Sequence, residues 1–359
     1  MTVRAGRWRR AGAWALFVAM LLLLGACVDN FDQTPVDAGP RPMDALAPEG
    51  RFAVEVDSLW NLVFMIAVAV FVLVQGLIIY SLLRFRERKD DDGTLPKQVH
   101  GNPRLEVLWT IIPAVILAVI AVPTVRTIWD LADEPEDMLR VEVIGHQWWW
   151  EFRYEDYDGL VTANELHIPT GRTVFLEMTS ADVIHSFWIP KLNGKQDTVP
   201  GRTNGLKIEA QEQGEYFGQC AEYCGLSHAN MRVRVIAQDP AAFEEWAQQQ
   251  SADYERPERG SLAAAGERLF LRELDTCINC HSIRGSDATA TTGPDLTHFA
   301  SREWFAGAIF ENTHENLAQW LDDPPEMKPM APEDGLGMQD YNLTKKQIDA
   351  LVAFLMSLE

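Results

Sequence analysis

The sequence predicts a multidomain chain: a two-helix transmembrane hairpin, then an all-β Greek-key domain, then a small all-α domain. Two uncharged apolar runs, residues 62–83 and 107–125, are each long enough to cross the ~30 Å hydrocarbon core as a helix. Residues 140–238 hold short alternating or β-branched runs (VEVIG, TVFLEMTS, GLKIEA, MRVRVIA) broken by Pro-Thr-Gly, Asn-Gly and Pro-Gly turns, the pattern of an antiparallel sandwich. A charged, Pro- and Gly-containing stretch follows, and beyond it GERLFLREL and LTKKQIDALVAFLMSL read as the opening and closing helices of a second soluble unit.

Composition supports this division. With 359 residues, 47% hydrophobic content and a formal net charge of -21, the chain has room for two soluble domains plus membrane segments. The acidity excludes nucleic acid as a partner and favours a basic one.

Residues 1–27 carry Arg4, Arg7, Arg9 and Arg10, then an apolar run, then Gly25, Ala26 and Cys27, which is a signal peptide of lipoprotein type. Leu24-Gly25-Ala26-Cys27 resembles a bacterial lipobox cut before a lipid-modified Cys27; an ordinary cleavage site beside an incidental cysteine is the alternative. Residues 28–57, rich in Pro, Asp and Ala at their start and without hydrophobic period, are expected to form an extracytoplasmic tether. The hairpin is assigned to residues 58–128. Its connecting loop holds Arg84, Arg86, Arg88, Lys89, Lys97 and Arg104, whereas the outer flanks are acidic, so the loop is cytoplasmic and both long ends lie outside. Pro113 and Pro123 are tolerated in the second span because neighbouring groups compensate for lost backbone bonds. Glu106 stands at the mouth of that span, where a carboxylate also simply favours a helix start.

Residues 129–250 form the β domain. Within it CAEYCGLSHANM sets Cys220, Cys224, His228 and Met231 on one short loop. Two thiolates, an imidazole and a thioether suit copper. One metal leaves ligands over and two use them. A disulfide or half of a zinc site are the other readings of such a cysteine pair.

The loop resembles the binuclear CuA loop of subunit II of heme-copper respiratory oxidases, C-x-E-x-C-x-x-x-H-x-x-M, with the upstream D-V-x-H-S motif present as Asp182-Val183-Ile184-His185-Ser186. The resemblance implies a cupredoxin-like fold, Cys220 and Cys224 bridging two coppers, His185 and His228 as terminal imidazoles, Met231 as a weak thioether and Glu222 as a main-chain carbonyl ligand. It also implies that the Glu222 side chain reaches a magnesium shared with subunit I. In GHQWWWEF the family pattern G-H-Q-W-x-W makes Trp148 the place where electrons enter, against plain packing as the other role, and leaves His146 as a hydrogen-bonded structural histidine. The same resemblance places Glu106, before W-T-I-I-P-A, at the entrance of a proton pathway into subunit I.

Residues 251–262 read as a linker and 263–359 as the second soluble domain. Cys277-Ile278-Asn279-Cys280-His281 is the C-x-x-C-H attachment signature of c-type haem, with both thiols adding to the vinyl groups and His281 coordinating iron. The surroundings resemble an all-α class I cytochrome c. A thioether as the other axial ligand raises the potential as an electron-transfer haem requires. Related domains place it five residues before the L-T that opens the last helix, which selects Met338; Gln339 replaces the usual proline, and Met330 is the reserve. His298 and His314 are expected at the surface. The five cysteines, Cys27 included, thus have uses other than disulfides.

Taken together, the resemblance is to subunit II of a caa-type cytochrome c oxidase, with a cytochrome c domain fused to the copper subunit. It implies electron flow from external cytochrome c or a cytochrome bc complex through haem c and CuA to subunit I, where oxygen becomes water with proton pumping. Subunit I and subunit III are the implied partners, in the bacterial cytoplasmic membrane with both soluble domains outside. The rival readings are the small subunit of a CuA-type nitric oxide reductase and a non-catalytic envelope copper and haem redox protein. A hairpin with Glu106 speaks against the second, because a carrier needs only one anchor.

Overall fold

The computed structural model describes residues 43–86, 98, 100–133, 135, 137–157, 159–274 and 276–359; the signal peptide, Cys27 and most of the tether lie outside the described residues. Helix α1, Arg51–Arg84, and helix α2, Pro103–Ala132, form the hairpin. Their apolar side chains are exposed along both spans, as a bilayer requires. The first turn of α2 is locally encoded: Pro103 follows Asn102, whose side chain accepts from the Arg104 and Leu105 amides, and Glu106 accepts from the Asn102 amide at 3.2 Å.

The tether ends sooner than residue 57. Helix α1 starts at Arg51 because its first turn docks on the β domain, with Phe52 and Ala53 buried and Gly50 bridged to Ala210. Lys191 Nζ binds the Glu49 carboxylate and the Ala47 carbonyl. At 34 residues, α1 is ~50 Å long at ~1.5 Å per residue, longer than the bilayer core needs, so its outer end is free to become part of the soluble domain.

Among the described residues, ten strands build the sandwich: β1 (Leu139–His146), β2 (Trp149–Tyr154), β3 (Val161–Ala163), β4 (Glu165–Pro169), β5 (Val174–Ser180), β6 (His185–Trp188), β7 (Gln196–Thr198), β8 (Asn204–Ile208), β9 (Gly214–Cys220) and β10 (Arg232–Gln238). One sheet has the order β3-β2-β1-β5-β8 and the other β4-β10-β9-β6-β7. The β1–β5 and β4–β10 pairs are parallel and the rest antiparallel, so the chain crosses between sheets as a cupredoxin-like Greek key does. Inward residues alternate along β5, where Val174, Leu176 and Met178 are buried, and meet Trp150, Phe152, Phe187 and Tyr216 in one apolar core. The 220–231 segment joins β9 to β10 and is pinned at its base by the Cys220 amide on the Met231 carbonyl.

Helix α3, Pro240–Gln250, closes the sandwich, and the last domain follows: α4 (Leu262–Arg268), the short pair β11 (Trp304–Phe305) and β12 (Phe310–Glu311), α5 (His314–Asp322), α6 (Pro324–Met327) and α7 (Lys345–Leu355). Helices α4 and α7 cross where a Cβ added to Gly266 would lie 2.0 Å from the Ala350 carbonyl oxygen, and Phe270 meets Phe354 at 5.8 Å. The linker is partly structured: Tyr254 joins this second core and its hydroxyl donates to Glu267. His298 is not at the surface. It is buried, with Nδ1 on the Glu359 main-chain oxygen and Nε2 on the Ala252 carbonyl, so it ties the chain's last residue to the linker; His314 is exposed.

Candidate metal centre and haem site

The β6 strand and the β9–β10 loop bring two thiols, two imidazoles and a thioether to one point. The Cys220 and Cys224 sulfurs lie 3.8 Å apart and unbonded, His185 Nδ1 is 4.0 Å from the first, and His228 Nδ1 is 3.6 Å from the second. Met231 Sδ is 3.9 Å from Cys224 Sγ, and the Glu222 carbonyl oxygen 3.2 Å from Cys220 Sγ. Each sulfur thus has one imidazole and one weaker donor beside it. Two thiols with paired flanking ligands fit two soft metal ions held between shared thiolates. The contact between the two sulfurs holds the Cys220 pKa far below the ordinary thiol range and pushes Cys224 up.

The supporting contacts orient these donors. Asp182 Oδ1 lies 2.8 Å from His185 Nε2, which turns Nδ1 toward the sulfur. Burial lowers the His185 pKa, but the Asp182 hydrogen bond and the Cys220 sulfur outweigh it and hold the ring above its ordinary value. The Cys224 carbonyl accepts from Gln147 Nε2 at 2.7 Å and Trp148 Nε1 at 3.0 Å. Trp148, reached through a cis Gln147–Trp148 peptide, is 3% exposed. His146 behaves as a structural residue, bonded to Glu151 at 2.9 Å and stacked on Trp149. Beside the ligands Val183, Ile184, Leu226 and Tyr223 form an exposed apolar patch, and the Glu222 side chain is exposed with them.

The haem signature occupies a short 3-10 turn, with Cys277 and Cys280 as free, half-buried thiols. His281 Nδ1 lies 2.8 Å from the Pro294 carbonyl, an arrangement in which Nδ1–H donates and Nε2 is left for a metal. Met338 packs with Cys277 and Ile278 against the core of the last domain, whereas Met330 packs with Leu336 against the β-domain core. Arg302, which no sequence motif singles out, is buried: one of its terminal nitrogens donates to the Asp295 carbonyl, and Nε meets no acceptor among the described residues. A buried cation of this kind fits a prosthetic group that brings carboxylates, as haem does.

The copper loop and the haem domain touch. The Lys328 ammonium donates to the Trp148 carbonyl at 2.6 Å, Ser227 to the Pro329 carbonyl, and the Arg232 amide to the Gly307 carbonyl at 3.0 Å.

Three family models match: "Cytochrome C oxidase subunit II, transmembrane domain" over residues 45–127, the periplasmic domain of the same subunit over 158–238, and "Cytochrome c" over 263–359. Cytochrome c oxidase subunit 2 of Alkalihalophilus pseudofirmus is 36% identical over 359 residues, covering 98% of each chain, and that of Bacillus sp. strain PS3 is 37% identical over 372 residues, again covering 98% of each. Among solved structures, the periplasmic domain of subunit II of cytochrome oxidase of Bradyrhizobium japonicum is 29% identical, covering 32% of this chain and 95% of that one with a TM-score of 0.32.

Proposed function

The chain belongs to the cytochrome c oxidase subunit II family and carries a fused cytochrome c domain, and from that premise we propose the route its electrons take. It has a CuA site that includes His185, Cys220, Cys224 and Met231, a haem c site at Cys277 and Cys280, and two membrane-crossing helices with the copper domain outside. It passes electrons to subunit I. The finer assignments are these. His281 and Met338 would hold the haem iron, and Arg302 would bind a haem carboxylate. His228 and the Glu222 carbonyl complete the copper donors, and the exposed Glu222 carboxylate reaches a magnesium shared with subunit I. Bound at these sites, the copper pair and haem c accept and release single electrons.

What this chain's own residues do is hold the two sites in register. Trp148 carries the reading: its indole N–H is on the Cys224 carbonyl, and its own carbonyl is held by Lys328 of the haem domain. One residue therefore touches both halves of the route, and electrons enter the copper loop there. The apolar patch of Val183, Ile184, Tyr223 and Leu226 lies beside the same ligands, and subunit I docks on it. Glu106 opens a proton pathway into subunit I from the cytoplasmic end of α2. An external cytochrome c or cytochrome bc complex reduces the haem domain, and subunit III completes the assembly.

The test is the purified membrane complex, studied by optical and electron paramagnetic resonance spectroscopy during oxygen uptake. Haem c with a mixed-valence two-copper signal is expected, and Cys220→Ser abolishes both that signal and oxygen uptake. Nitric oxide consumption in place of oxygen uptake moves the acceptor to a reductase. Absence of the copper signal overturns the route.

A further inference from the structure

Lys328 is the least expected residue in the molecule. Its side chain is buried at 3% exposure in an acidic domain, where a lysine normally keeps its ammonium in water. Its Nζ donates to the Trp148 carbonyl at 2.6 Å and the Ala306 carbonyl at 2.8 Å, one acceptor on the copper domain and one on the haem domain. No carboxylate pairs with it among the described residues. Burial pushes its pKa down to about 7, against the pull of Cys224, so its position has a free-energy cost that the interface must offset.

The surroundings form a made-to-fit seam. Gly307, at φ +87°, brings its backbone so close that an added Cβ would lie 2.6 Å from the Asn230 carbonyl and 2.7 Å from Lys328 Nζ. At the other end the Trp304 amide donates to the buried Glu165 carboxylate at 2.6 Å, and the Arg234 guanidinium is held by Glu215 and lies over both the Phe217 and Trp304 rings. Met330 and Leu336, both partly buried, pack against the β-domain core.

We propose that Lys328 is a positioning residue that latches the cytochrome c domain in one docked pose on the copper loop, fixing the haem-to-copper path by holding the Trp148 carbonyl. The latch rests on the route proposed above, yet it is a statement about this chain's own contacts. In the latched pose, Lys328 holds the Trp148 carbonyl and the Trp148 side chain is 3% exposed within the β-domain core, so an external donor delivers its electron to haem c and not to Trp148 directly. Lys328 does not touch the copper donors or the haem attachment residues.

The experiment is Lys328→Met in the full complex, read in two ways. Hydrogen exchange at the Arg232 and Trp304 amides, both bonded across the seam, is expected to speed by on the order of tenfold to a hundredfold, while the Ile348 amide inside α7 is unchanged. Haem-to-copper electron transfer after a light pulse is expected to slow by about tenfold or more with the optical and copper resonance spectra unaltered, kcat falling and KM for external donor holding. Unchanged protection of Arg232 and Trp304, or an unchanged transfer rate, overturns the latch. If Lys328→Met does not accumulate, Lys328→Gln, which keeps a donor on a shorter stem, is read by the same two criteria. Loss of protection in a complex that lacks the copper signal leaves the latch standing and rejects the route, so the two failures are distinct.

Discussion

Met330 and Met338 stand eight residues apart in sequence, yet one joins the β-domain core and the other the core that holds Cys277 and Ile278. Met338→Ala is therefore expected to abolish the thioether-to-iron absorption band and lower the haem potential, and Met330→Ala to leave both in place. Redox titration followed optically distinguishes them. Glu106→Gln keeps an acceptor for the Asn102 amide, so α2 stays capped. It is expected to lower oxygen turnover several-fold without altering the light-triggered haem-to-copper step; equal turnover to the parent limits Glu106 to its cap. The copper donors were legible because all but His185 fall within twelve residues, and soft-ligand spacing is a local property. Lys328, Arg302 and His298 were not. What each does is decided by partners far along the chain, such as Trp148 for Lys328 and Glu359 for His298, and no window of sequence holds both ends.

At the scale of elements, the crossing of α4 and α7 tolerates no side chain at Gly266, because the nearest atoms are backbone. Gly266→Val is expected to cost about 3 kcal/mol, seen as a lower denaturant midpoint for loss of the native haem spectrum while the copper signal persists. The strands were legible by alternation, and β1, β5, β8 and β10 cover the four runs read as strands. The beginning of α1 was not. Residues 51–57 carry two acidic side chains and an arginine among apolar ones and lack a capping sequence, and their helix is imposed by docking of Phe52 on the sandwich. The same contact sets the copper domain on the hairpin as a continuation of its first helix.

For the whole molecule, charge and latch act on different steps. Residues 251–359 hold nineteen acidic residues against nine Lys and Arg, so a basic external donor is expected to be steered to the haem domain over a range set by the ~8 Å Debye length at physiological salt. Raising ionic strength is expected to slow reduction of haem c by external donor and to leave haem-to-copper transfer unchanged, since the seam is buried. Stopped-flow and light-pulse kinetics across a salt series check both arms. Cys220 and Cys224 are 2% and 3% exposed, with the haem domain closed over one side of their loop. That burial has a consequence for reactivity: an alkylating reagent is expected to modify both thiols far more slowly in the metal-free folded chain than in the same chain unfolded by denaturant.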